Sequence, residues 1–345
     1  MPMSKKLPHR LAATCLVLSA FLAAGLAAAQ NIQERTFKFA FVNQKEHPQG
    51  MGAQRFSEIV EKKSGGKMKV KLFPSGVLGG DASVIASLQG GTVEMTMAIP
   101  GLLSGMAREF SLFDLPFLFN NEKEADFVLD GPVGRKLLDK LPEKGLIGLT
   151  YFEHGFRNVT NSRRPVAKME DLQGLKLRVM QIPVMIDAFR ALGANPSPLP
   201  LPEVYTALEQ KAVDGQENPY SLVEASKYYE IQKYGSNTRH VFNPVVLLFS
   251  KKRWEQLSED ERKILLDAAR ETQPFQRAAN RDVNARAAEF LKGQGMVLTE
   301  FPAAERERLR EKLAPVTDKH VKQIDPALTQ ELFSELGKAR GSAAR

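Results

Sequence analysis

A chain of 345 residues with 43% hydrophobic and 26% charged side chains has an ordinary globular composition, long enough to bury a substantial core and better suited to two lobes than to one. Its formal charge of +8 is not gathered into a Lys/Arg-rich block with interleaved aromatics, which excludes the usual nucleic-acid footprint. The single cysteine, Cys15, excludes a disulfide framework.

Lys5, Lys6 and Arg10 precede an apolar run from Leu11 to Leu26, and Ala27, Ala28 and Ala29 supply the small residues a signal peptidase requires. This pattern predicts a signal peptide cleaved near Ala29 and a periplasmic destination, because the run falls short of the roughly 20 residues that span a bilayer. Most of that run follows Cys15, which argues against a lipid-anchored N-terminus, and the mature chain then has no thiol for catalysis. Removing the three basic residues changes the formal charge from +8 to 8 − 3 = +5. Such an excess suits an anionic ligand and equally a solvated basic surface.

Thr36 to Val42 alternates with Phe37, Phe39 and Phe41 on one face, the pattern of a strand. Ala53, Phe56, Ile59 and Val60 then recur at helical spacing up to Gly65 and Gly66. Met68, Val70 and Leu72 form a second strand, and Asp81 is placed to cap a helix carrying Val84, Ile85 and Leu88. A third strand runs through Val93, Met95 and Met97, so the order implies a parallel sheet with right-handed crossovers. The segment Phe110 to Phe119 reads as core, Asn121 with Glu124 starts a helix, and Leu146 to Phe152 is another strand.

The same alternation begins again after Gly155. Strand Leu175 to Val179, helix Pro183 to Leu192, strand Ser197 to Leu199, helix Glu203 to Gln210 and a short strand into Gln216 repeat the βαβ order. Val245 to Ser250 is an apolar strand that returns the chain to the first unit. Ser258 with Glu261 caps a long helical stretch to about Lys292, with a bend expected at Pro274. After a last strand, Met296 to Phe301, Pro302, Pro315 and Pro326 are expected to start short helices, and Gly341 to Arg345 a loose tail. These signals predict an α/β protein of two lobes, with residues 30–154 and 244–283 in the first and 155–243 and 284–345 in the second. The chain would cross between them near His154-Gly155 and Asn243-Pro244, an arrangement that favours a hinge.

Within Gly174 to Met180 (GLKLRVM), Leu175, Leu177 and Val179 share one face, so Arg178 leaves by the other, at a strand end that feeds the helix at Pro183. Open α/β sheets bind ligands at that end. A guanidinium there offers a planar fork that matches a carboxylate, although a salt bridge to Asp171 or Glu217 would suit the same position. This run, together with Gly155 to Val166 (GFRNVTNSRRPV) and Ala191 to Pro219 (ALGANPSPLPLPEVYTALEQKAVDGQENP), closely resembles the solute-binding receptors of tripartite ATP-independent periplasmic (TRAP) transporters, the DctP family, over about Phe37 to Phe301.

The resemblance implies a two-lobed periplasmic-binding-protein fold, each lobe a sheet flanked by helices, with a hinge and a long lobe-spanning helix. It implies that Arg178 holds a substrate carboxylate and that Arg157 of Gly155-Phe156-Arg157 assists it or acts as a hinge ion pair. Asn218 would offer its amide to the ligand or cap the helix after Pro219, and Asp81, Asn43 and His47 would face the cleft from loops. Where relatives that bind sialic acid carry an acid this chain has Ile99, and where they carry an aromatic it has Leu201. Both departures point to a smaller acid, a dicarboxylate or a hydroxy or oxo acid. The implied partners are the small and large membrane subunits of an ion-driven permease, with no cofactor.

An exported hydrolase acting on a small anion is the rival from another class, and a binding protein of a different transporter class is the nearer one. The chain has no GxSxG elbow, no HExxH and no Walker loop, and Gly293-Gln294-Gly295 lacks the third glycine of a dinucleotide motif. His47, His154, His240 and His320 are scattered without metal-ligand spacing, so no metal site is expected.

Overall fold

The computed structural model describes residues 31–343; the expected leader and its cleavage point near Ala29 lie outside the described residues. In chain order the first part comprises β1 (Arg35–Ala40), α1 (Pro48–Lys63), β2 (Met68–Phe73), α2 (Asp81–Gly90), β3 (Met95–Ala98), α3 (Glu122–Leu129), α4 (Pro132–Lys140) and β4 (Leu146–Phe156). The second comprises β5 (Asn158–Asn161), β6 (Lys176–Val179), α5 (Pro183–Ala191), β7 (Asn195–Pro198), α6 (Val204–Glu209), β8 (Gly215–Asn218), α7 (Tyr220–Ala225) and β9 (Tyr234–Ser236). The chain ends with β10 (Phe242–Ser250), α8 (Lys251–Trp254), α9 (Glu259–Gly293), β11 (Val297–Thr299), α10 (Ala303–Val321) and α11 (Pro326–Ala343).

The strands form two sheets, one in each lobe: β2-β1-β3-β10-β4 and β11-β9-β5-β8-β6-β7. In the first, β2, β1 and β3 are parallel, as their helical crossovers require, and β10 enters antiparallel between β3 and β4. In the second, β6 runs parallel to β7 and β8, while β5 is antiparallel to β8 and β9. Two strand passages join the sheets side by side. β4 ends at Phe156 and β5 begins at Asn158, and the return passes from β9 into β10, with Phe242 opposite Phe156 and Asn243 opposite Gly155. The Arg157 N–H donates to the Val241 carbonyl at 2.8 Å, tying the two passages together.

Helix α9 begins with the capping box that the sequence predicts, Ser258 and Glu261. Its first half puts Ile264, Leu265, Ala268 and Ala269 into the first lobe's core with Phe39, Phe56 and Phe249. Its last turns put Ala287 and Leu291 into the second lobe's core with Val204, Leu222 and Tyr228. One helix therefore spans both lobes.

Several boundaries differ from the sequence reading. Pro274 lies inside an unbroken α9, where it is exposed and water can serve the carbonyl it leaves unpaired. Pro315 likewise lies within α10 instead of starting a helix, and α11 continues through Gly341 to Ala343 where a loose tail was expected. The last helix, α11, packs on α3 and α4. Leu328, Leu332 and Leu336 share one buried cluster with Val128, Leu129 and Val133, and Lys136 pairs with Glu331 at 2.6 Å.

Candidate ligand-binding site

Between the lobes lies a cavity to which both sheets contribute. Arg178 reaches it from β6, and the expected alternation accounts for its direction: Leu177 and Val179 are fully buried in the core behind the strand. The Arg178 side chain is itself 3% exposed. Its Nε and Nη2 both donate to the Leu199 carbonyl, at 2.9 and 2.6 Å. That carbonyl fixes the plane of the guanidinium, and among the described residues Nη1 and the outer proton of Nη2 have no partner. Neither Asp171 nor Glu217 pairs with it, and no other carboxylate among the described residues does.

Glu217 is spent on Arg157 instead. Arg157 Nε and Nη2 donate to the Glu217 carboxylate at 2.5 and 2.8 Å, and Nη1 donates to Asn243 Oδ1 at 3.1 Å. Burial raises the Glu217 carboxyl, but Arg157 and His240 outweigh it and hold the group at about 2. Arg157 thus lines the cavity with its charge already matched, the hinge ion pair that the sequence offered as its other role. Behind it Asn243 Nδ2 donates to Asp114 Oδ1 at 2.7 Å, and burial pushes the Asp114 carboxyl up to about 7 against the pull of Arg157.

Asn218, at the end of β8, lines the cavity, with Nδ2 donating to Gln216 Oε1 at 2.5 Å and Oδ1 facing His154 Nε2 at 3.4 Å. It caps nothing; Pro219 is the N-cap residue of α7. Asp81 also lines the cavity, as the first residue of α2 behind Gly80, which takes the N-cap position expected of the aspartate. Burial raises its carboxyl to about 6, with Arg178 opposing the shift. Asn43 lies on the wall, but His47 does not reach it. His47 caps α1, its Nδ1 accepting the Gln49 backbone N–H at 3.1 Å, and burial lowers its pKa to about 3.

The sequence did not single out Gln49, His154 and Gln181, which also line the cavity. Gln49 Nε2 lies 2.9 Å from His154 Nδ1, so the two form a polar bridge from α1 to β4. Burial, with His47, Arg157 and Arg178 nearby, pushes His154 well below its usual range and keeps it neutral. His154 follows Glu153 in a strand whose other residues are mostly apolar, a pattern that a core histidine shares.

Two α/β lobes joined by adjacent strand passages, with a buried guanidinium uncompensated in the gap between them, define a two-lobed solute-binding receptor. The sequence model of the bacterial extracellular solute-binding proteins, family 7, matches residues 39–324. A solved sugar-acid-binding protein from Advenella mimigardefordensis, in complex with galactonate, is 47% identical, with a TM-score of 0.88 over 90% of this chain and 100% of that one. A TRAP periplasmic solute-binding protein from Ochrobactrum anthropi is 49% identical, with a TM-score of 0.81 over 90% of this chain and 98% of that one. The 2,3-diketo-L-gulonate-binding periplasmic protein of Escherichia coli K12 is 37% identical over 76% of this chain and 80% of its own length. The protein belongs to family 7 of the bacterial extracellular solute-binding proteins, and its place of action is outside the cytoplasm.

Proposed function

We propose that this protein is a TRAP-transporter receptor that binds a small organic acid between its lobes, with the acid's carboxylate on Arg178, and delivers it to the small and large membrane subunits of an ion-driven permease. The observation that carries the reading is Arg178: 3% exposed, oriented by Leu199, and without a carboxylate partner among the described residues. A buried uncompensated charge is costly, and an anionic guest that replaces its lost hydration recovers that cost. Asn43, Gln49, Gln181 and Asn218 offer amides to hydroxyl or oxo groups on the rest of the ligand. Similar proteins with bound galactonate, D-erythronate and L-gulonate support a hydroxylated acid.

On this reading the leader is cleaved near Ala29, and the protein binds its acid without chemically altering it. The lobes comprise 30–154 with 244–283 and 155–243 with 284 onward, and α11 is a strap returning to the first. Calorimetric titration with galactonate, gluconate, glycerate and succinate is expected to give saturable binding of at least one acid, recovered unaltered. Arg178→Lys keeps the charge but loses the planar fork, and is expected to weaken that binding by ~2–5 kcal/mol with the melting temperature of the free protein nearly unchanged. Equal affinity of the variant and the parent would overturn the assignment.

A further inference from the structure

We propose that the cleft selects acids carrying one carboxylate over acids carrying two, because among the described residues Arg178 is the one uncompensated cation on its wall and the other unpaired ionisable group there is the carboxyl of Asp81. The inference rests on the receptor reading above and adds the substrate class. Among the described residues the wall carries four ionisable side chains: Asp81, His154, Arg157 and Arg178. Arg157 contributes no free charge, since Glu217 takes two of its donors and Asn243 a third. His154 is 3% exposed, with each ring nitrogen facing an amide, and it remains neutral. The wall carries no lysine.

What remains is one positive and one negative group. Arg178 has already given Nε and part of Nη2 to Leu199, so its free end accommodates one carboxylate. With that carboxylate bound, Arg178 is matched and the described wall offers no free cation to a second one. Burial raises the Asp81 carboxyl to about 6 while Arg178 opposes the shift, so in the empty cleft it is largely ionised at pH 7.5. A ligand hydroxyl can donate to Asp81 or to the neighbouring amides. A carboxylate in its place finds no free cation, has lost its water, and either faces an ionised Asp81 or forces it to take up a proton.

Matched pairs that differ only at the terminal carbon test this: galactonate against galactarate, gluconate against glucarate, and 4-hydroxybutyrate against succinate, titrated calorimetrically into the whole protein at pH 7.5. The tightest-bound pair is expected to favour the monocarboxylate on the order of 100-fold, the scale on which buried sites reject an unpaired charge. Asp81→Asn, which removes the negative charge and keeps the shape, is expected to raise dicarboxylate affinity about tenfold and narrow the ratio. Dicarboxylate binding as tight as its monocarboxylate partner in the parent protein overturns the selectivity while leaving the receptor reading intact. A ratio unchanged by Asp81→Asn overturns the part given to Asp81. Failure of every acid in both series to bind removes the receptor reading and this inference together.

Discussion

Arg157 and Glu217 are sealed from solvent, at 1% and 0% exposure, and each satisfies the other in a way that neither could in isolation. Removing one charge leaves the other buried and unpaired, the costly case for an interior ion pair. Glu217→Gln is therefore expected to lower unfolding stability by about 3–5 kcal/mol, read as a shifted urea midpoint. A midpoint within the error of the parent protein would show that water or Asn243 already compensates Arg157. The direction in which Arg178 points was legible in the sequence, because strand alternation is local and Leu175, Leu177 and Val179 fix one face. The ownership of Glu217 was not. It lies 60 residues from Arg157, and the sequence offers it to Arg178 instead.

Helix α11 shows the same limit one level up. Its Leu328, Leu332 and Leu336 recur at four-residue spacing, so an amphipathic helix was readable, but the pattern does not name the surface that receives it. That surface is α3 and α4, and Arg340 fastens the far end by donating to the Leu118 carbonyl at 2.9 Å. Leu332 is fully buried there, and Leu332→Ala is expected to cost about 2–5 kcal/mol in thermal or urea unfolding while leaving acid affinity unaltered, since the contact is remote from the cavity wall. A weakened affinity would tie the strap to closure of the lobes. The βαβ order was legible because apolar strands and helices alternate with clear turn residues between them. Strand β5, Asn-Val-Thr-Asn, and strand β9, Tyr-Gly-Ser, were not, because three or four mostly polar residues carry no period and owe their state to their neighbours.

At the scale of the whole molecule, the groups that join the lobes also set its response to acid. Asp114 and Asn243, attached to the first sheet, connect through Arg157 to Glu217 and His240, so the buried polar chain runs along both strand passages. Its members and neighbours pull in opposite directions. His47, lowered by burial to about 3, takes up a proton on unfolding whenever the pH lies between 3 and 6.5, so its contribution to stability falls as the pH falls. Asp114, raised by burial to about 7 from 3.8, is protonated in the folded state and ionised in the unfolded state between those two values, so its contribution falls as the pH rises through them. The two slopes have opposite signs, and each amounts to about 1.4 kcal/mol per pH unit per proton. Glu217, held at about 2, adds stability that is lost only as the pH drops below 4.5. Asp114→Asn removes one side of the balance. Its stability at pH 4.5 relative to pH 6.5 is expected to fall below that of the parent protein, with the slope of unfolding free energy against pH steeper by about 1.4 kcal/mol per unit in that interval. Urea unfolding at half-unit steps from pH 4 to 7 measures the slope, and parallel profiles for the two proteins would mean that Asp114 is ionised in the folded state and that another group offsets the buried histidines.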